Sequence, residues 1–223
     1  MRKAQAVTRS EENYLKTIYH LGEGTSSPVS TNAIASQMDT KPSSVTDMAK
    51  KLAEKNLVDY QKYQGLVLTD LGKRTALQVI RKHRLWEVFL FEKLDFQWDE
   101  VHEVAEQLEH IKSEQLIDRL DALLGHPKFD PHGDPIPGKD GLLAEQNNSL
   151  LSELRIGQSG LCVGVKDTST SFLQYLDKNQ IALGQRISVV EKESFDQSLL
   201  IEIDGQSLRL SHQIATNLYI KID

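Results

Sequence analysis

Apolar residues recur at helical spacing through the first quarter of the chain. Tyr14, Leu15, Ile18 and Leu21 predict an amphipathic helix over about 11–21, capped by Thr8 or Ser10. Residues 22–28 read as a turn. Ser30 opens a short helix with Ile34, Ala35 and Met38 facing inward. Pro42 suits a first helical turn. Val45, Met48, Ala49 and Leu52 then predict a third helix over about 43–55, with Asn56 as its stop. Two short strands, 57–60 and 66–69, flank a polar tip at 61–65 that ends in glycine, which is a hairpin signal.

Three helices followed by a hairpin is the order of a winged helix-turn-helix. Beyond it the pattern predicts one long amphipathic helix over 70–94 and two more over about 98–110 and 113–124. Residues 125–141 hold four of the six prolines and break the helical pattern, so a linker is placed from there to about 152. The last seventy residues change character. The runs 160–165, 186–191, 198–203 and 207–210 are alternating or β-branched and predict a small, barrel-like β domain. The expected fold class is mainly α with a small β part.

Composition changes this picture only in places. A chain of 223 residues with 39% hydrophobic and 26% charged content is ordinary for one or two globular domains. No run of about 18 apolar residues is present, which argues against a transmembrane helix. The segment MRKAQAVTRSEENYL has basic residues without the apolar stretch of a secretory signal. A single cysteine, Cys162, rules out an internal disulfide and fits a reducing, cytoplasmic compartment. The net charge of −6 seems wrong for a nucleic-acid binder, but residues 1–75 carry +3 and the remainder −9. A basic first third on an acidic body orients the molecule toward a polyanion.

Two constellations carry chemistry. A recognition helix presents short polar side chains to base edges from its first turns. Lys41, Ser43, Ser44, Thr46 and Asp47 stand there, with Lys50 and Lys51 placed for the phosphate backbone and Lys62 and Tyr63 on the wing. Asp47 must meet a cytosine amino group or turn away, because a carboxylate repels phosphate. The second constellation lies on the following helices. His83 and Glu87 sit at i, i+4, and His102, Glu106, Glu109 and His110 share one stripe of the next helix. Imidazoles and carboxylates are the donors a divalent metal takes, and a bound cation would satisfy a polar stripe that is otherwise costly to bury. Two other readings stay open on residues alone. One is a winged-helix regulator that senses a non-metal ligand. The other is a metal-dependent hydrolase, although no His-Glu-x-x-His motif is present.

YLKTIY at 14–19, PSSVTDM at 42–48, GLVLTDLGK at 65–73, RKHRL at 81–85, LEH at 108–110 and PHGDPIP at 131–137 together resemble the diphtheria toxin repressor family of iron- and manganese-dependent regulators, over essentially the whole chain. The resemblance implies a winged helix at 1–74, a helical metal-binding and dimerisation domain at 75–140, a linker at 141–152 and an SH3-like domain at 153–223. It implies a homodimer that binds double-stranded operator DNA when Mn(II) or Fe(II) is bound. It also implies a primary metal site of Asn13, Glu106, Glu109 and His110, and an ancillary site of His83, Glu87 and His102, with Asp167 as the candidate from the SH3-like domain. The chain departs from the family pattern at three positions. Asn13 stands where manganese-responsive members have Asp and iron-responsive members Met. Lys16 replaces a second acidic ligand found in some manganese regulators. Glu106 replaces the Cys of iron-responsive members, and an oxygen donor there favours manganese first.

Overall fold

The computed structural model describes residues 6–23, 27–61 and 64–223, so Lys62 and Tyr63 lie outside the described residues. The chain divides into two compact units. The first comprises 1–83, 107–113 and 137–142, and the second 84–106, 114–136 and 143–223.

The winged helix lies within the first unit. Helix α1 (Arg9–Gly22) starts at Thr8, whose hydroxyl accepts the Glu11 N–H while the Glu11 carboxylate accepts the Thr8 N–H, a reciprocal capping box. Its buried stripe is Tyr14, Leu15 and Ile18. Helix α2 (Thr31–Gln37) is capped by the Ser30 hydroxyl. Helix α3 (Pro42–Glu54) carries proline in its first turn and buries Val45, Ala49 and Leu52. Asn56 ends it with a φ of +56°, a conformation asparagine tolerates better than most residues. Strands β1 (Val58–Gln61) and β2 (Gly65–Leu68) pair antiparallel, with Val58 opposite Leu68 and Gln61 opposite Gly65. The inner residues of these elements form one apolar core.

Helix α4 (Asp70–Leu94) fills its predicted bounds. Thr69 opens it: its hydroxyl accepts the Gly72 N–H at 3.1 Å and donates to the Asn56 carbonyl at 2.7 Å. Gly72 is required by space, because a Cβ there would lie 1.9 Å from the Leu57 carbonyl oxygen. Helix α5 (Val101–Leu108) is shorter than the 98–110 expected, and Glu109 and His110 form a turn after it. Helix α6 (Glu114–Leu123) follows.

In the second unit, strands β3 (Ser149–Leu150), β4 (Ser159–Val165), β5 (Arg186–Lys192), β6 (Leu199–Ile203), β7 (Gln206–Leu210) and β8 (Leu218–Ile222) form an antiparallel sheet in the order β3-β8-β4-β5-β6-β7. Helices α7 (Thr170–Lys178) and α8 (His212–Ala215) accompany it. The sheet and α7 share a core built from Leu173, Leu176, Ile187, Ile201 and Leu218, together with Trp98. This is the expected SH3-like β domain, with a helix that alternation along the strands does not reveal. Among the described residues, no helix is long and apolar enough to cross a membrane.

Gly72→Ala is expected to destabilise the fold by about 1–3 kcal/mol, the usual range for forcing extra atoms into a packed site. Urea unfolding should show this as a lower midpoint at unchanged slope.

Candidate metal centre and DNA-reading face

The candidate metal centre of the first unit is organised around Glu109, whose side chain is 0% exposed. Burying a carboxylate is costly unless it is matched by charge and hydrogen bonds. Here the Lys16 ammonium donates to both of its oxygens, at 2.9 and 2.8 Å, and His83 Nδ1 lies 2.7 Å from Oε2. Burial pushes the Glu109 carboxyl up, but the His83 hydrogen bond and the Lys16 charge outweigh it, so the group lies below its ordinary value of 4.5.

Two further donors face this carboxylate or share its supports. His110 follows Glu109 in the chain, and its Nδ1 lies 2.6 Å from Glu12 Oε2, a carboxylate partner of the kind that fixes the tautomer and ring orientation of a metal-ligating histidine. With Nδ1 thus occupied, His110 Nε2 is the ring nitrogen left to accept, and it stands 3.5 Å from Glu109 Oε1. Asn13 lies on α1 between Glu12 and Lys16, and residues at this spacing share one helix face. Asn13 Oδ1 and His110 Nε2 are both buried, and neither has a hydrogen-bond partner among the described residues. Buried polar atoms are nearly always satisfied, so these two open acceptors are ones that a bound cation could satisfy. The donor set of amide oxygen, carboxylate and imidazole suits a divalent transition metal. Lys82 stands nearby, 3.9 Å from Glu12, and desolvation lowers its pKa despite the Glu12 and Glu109 charges.

Glu87, His102 and Glu106 belong to the second unit. His102 Nδ1 is 3.4 Å from Glu87 Oε1, and its Nε2 is 3.8 Å from Glu106 Oε1. Glu87 also meets two residues that helical spacing did not single out. One donor atom from each of Glu87, Asp130 and His132 lies within 4.8 Å of the others, and all three residues are buried. His132 Nε2 lies 2.7 Å from the Trp98 carbonyl, which accepts only from N–H, so Nε2 carries a proton, and Nδ1 stands 3.9 Å from Glu87 Oε1. Asp130 is held by the His132 and Asp134 N–H groups at 2.8 and 3.0 Å. Burial, then the neighbouring Glu87 and Asp134 charges, push its carboxyl well above the usual range. The Arg84 guanidinium, 3.5 Å away, works against that rise. The loop carrying Asp130 and His132 packs on β4 through a Val165 N–H to His132 carbonyl bond. It turns at Gly133, where a Cβ would lie 2.1 Å from the Val163 carbonyl oxygen. Asp167 stands in the turn before α7, where its Oδ1 accepts the Ser169 N–H at 2.9 Å, and it is not among these converging donors.

On the winged helix, Lys41, Ser43, Ser44, Asp47, Lys50 and Lys51 are all exposed along α3. Thr46 is half-buried, and its hydroxyl donates to the Pro42 carbonyl at 3.0 Å. Asp47 pairs with Lys50 at 3.3 Å, which masks the carboxylate. An exposed polar and basic face on the second helix of a helix-turn-helix is the surface that enters a major groove.

A winged helix combined with buried clusters of metal-donor side chains is the arrangement expected of a metal-dependent transcriptional regulator. The comparisons with known proteins agree. Residues 6–66 match the iron-dependent repressor N-terminal DNA-binding domain and residues 69–138 its metal-binding and dimerisation domain, while 150–222 match the FeoA domain. The chain is 37% identical over 123 residues to the HTH-type transcriptional regulator MntR of Oceanobacillus iheyensis, covering 55% of this chain and 82% of that protein. It is 36% identical over 127 residues to the iron-dependent repressor IdeR of Mycobacterium tuberculosis, covering 57% of this chain and 55% of that repressor's length. A solved manganese-dependent transcriptional repressor in complex with manganese superposes with a TM-score of 0.86 at 36% identity, over 96% of this chain and all of that one. The chain belongs to the diphtheria toxin repressor family. It is a DNA-binding repressor with a dimerisation domain that takes a divalent metal.

Because Glu109 sits below 4.5 in the folded protein, its contribution to stability is complete above that pH and is lost as pH falls through the folded value. Thermal melts of the metal-free protein should therefore show the advantage of wild type over Glu109→Gln shrinking as pH is lowered below 4.5.

Proposed function

We propose that the chain is a cytoplasmic homodimer that represses metal-uptake genes, reading operator DNA only when Mn(II), or alternatively Fe(II), is bound. The observation that carries this reading is the pair of buried, unsatisfied acceptors, Asn13 Oδ1 and His110 Nε2, the latter 3.5 Å from Glu109 Oε1. The primary site is assigned to Asn13, Glu109 and His110, with Glu106 added on its spacing three residues before Glu109. A bound divalent cation supplies positive charge and coordination bonds at these donors. Glu12 orients the His110 ring, and His83 holds Glu109 from the other side. Asn13 on α1 and the 109–110 turn then share one ligand, which restrains α1 and with it the winged helix that reads DNA. The restrained dimer fits two half-sites about one helical turn apart, or a multiple of that. By linkage, DNA that selects the restrained state also tightens metal binding.

An ancillary site is proposed around Glu87, supported by the convergence of Asp130 and His132. His102 is the remaining candidate there, with His83 added on its i, i+4 spacing along α4 and Asp167 from the SH3-like domain. Oxygen and imidazole donors without a thiol support manganese ahead of iron, and the manganese-dependent repressor noted above supports the same choice. The domain division proposed is 1–74, 75–140, the 141–152 linker and 153–223. On the DNA side, Lys41, Ser43, Ser44, Thr46 and Asp47 are assigned to the groove and Lys50 and Lys51 to phosphates, with Lys62 and Tyr63 kept as wing contacts from sequence.

Fluorescence anisotropy on promoter DNA tests the reading, using chelated protein and then adding Mn(II) or anaerobic Fe(II). Binding should appear only with metal, and at the lower concentration for Mn(II). Glu109→Ala and His110→Ala should each abolish the metal response with the fold retained. Unchanged metal-dependent binding in both variants overturns the site.

Lys50→Ala should weaken binding to every sequence alike. It should also make the plot of log affinity against log salt shallower by about 0.9, the value for one lost phosphate contact.

A further inference from the structure

We propose that Lys16 is a built-in competitor for the primary metal site, its ammonium occupying the Glu109 carboxylate that the metal must take. The inference rests on the metal-site reading above and adds a residue that sets its affinity. Three observations carry it. Lys16 Nζ reaches both Glu109 oxygens, at 2.9 and 2.8 Å, so the oxygens a metal would use are already bonded to a cation. Glu109 is fully buried and Lys16 only 14% exposed, so neither charge is left to bulk water. The neighbouring acceptors Asn13 Oδ1 and His110 Nε2, which a lysine on Glu109 does not reach, stay unsatisfied.

One ammonium therefore neutralises the carboxylate but leaves the rest of the donor set open. A divalent ion satisfies all of it, but a divalent ion and an ammonium placed on the same two oxygens repel one another and compete for them. Coordination at Glu109 is thus opposed by Lys16 and favoured when the Lys16 side chain swings away from it. Its flexible four-carbon stem permits that movement. The exchange has two effects. It holds the metal-free protein in a charge-balanced state, because an unpaired buried carboxylate is strongly destabilising. It also raises the metal concentration at which the site fills, which places the activation threshold under the control of one side chain.

Lys16→Met keeps the length and apolar stem while removing the charge. Isothermal titration of the full-length, metal-free protein with MnCl2 should show binding about tenfold tighter than wild type, the scale of a hydrogen bond to a charged group. In parallel, the metal-free melting temperature should fall and the rise on adding Mn(II) should grow. Lys16→Arg retains a competing cation and should bind Mn(II) no more tightly than wild type. Unchanged or weaker Mn(II) binding in Lys16→Met overturns the proposal, as does tightening of equal size in Lys16→Arg. Glu109→Ala, titrated alongside, separates the two claims. If it binds Mn(II) as wild type does, the metal-site reading has failed. If it has lost Mn(II) binding while Lys16→Met is unchanged, only the competitor role has failed.

Discussion

The buried Glu109 carboxylate is the constraint on which the first unit turns. A charge with no solvent exposure has to be matched from within the protein, and here three elements meet, two of them supplying the match. Lys16 comes from α1, His83 from α4, and the carboxylate itself from the turn after α5. The same turn sends His110 to Glu12 on α1. One acidic side chain thus gathers the first helix of the winged domain and the helix that leads out of it around a single charge. Under the proposed function, a cation bound there would act on α1, the first helix of the DNA-reading domain.

The winged helix needs no such charge to fold. Its core is apolar, with Leu15, Ile34, Val45, Leu52 and Leu66 all fully buried, and its elements are closed by local devices. These are the Thr8 capping box, Pro42 at the start of α3, the left-handed Asn56, and the Thr69 cap with Gly72 pressed against the Leu57 carbonyl. The apolar core of the winged helix is therefore separate from the polar cluster around Glu109. Losing a metal donor should leave a folded protein that no longer responds to metal. Losing Gly72 weakens the domain whatever metal is present.

Much of this was legible in the sequence, and the exceptions share a cause. Helix α4 could be bounded at 70–94 because its amphipathic stripe is long. The His83, Glu87, His102, Glu106, Glu109 and His110 set could be found because helical spacing puts donors on shared faces. Helix α5, in contrast, stops at Leu108, and Glu109 and His110 act from a turn that periodicity extends through. Glu12 and Lys16 acquire their roles only through contacts more than ninety residues away, which no local pattern encodes. Asp130 and His132 sit in a proline-rich loop where periodicity carries no information, although two titratable residues inside such a rigid segment were a usable signal. Helix α7 was hidden because Phe172, Leu173 and Leu176 form a short stripe among strands, and β8 because its alternation is brief.

Amide hydrogen exchange by mass spectrometry, on the chelated protein and again with saturating Mn(II), tests the central claim that the metal ties α1 to the 109–110 turn. The account predicts slowed exchange concentrated in peptides covering 9–22 and 107–113, and absent from those peptides in His110→Ala. Slowing confined to peptides around 84–94 and 128–136, with α1 unchanged, would contradict it and move the sensing site to Glu87.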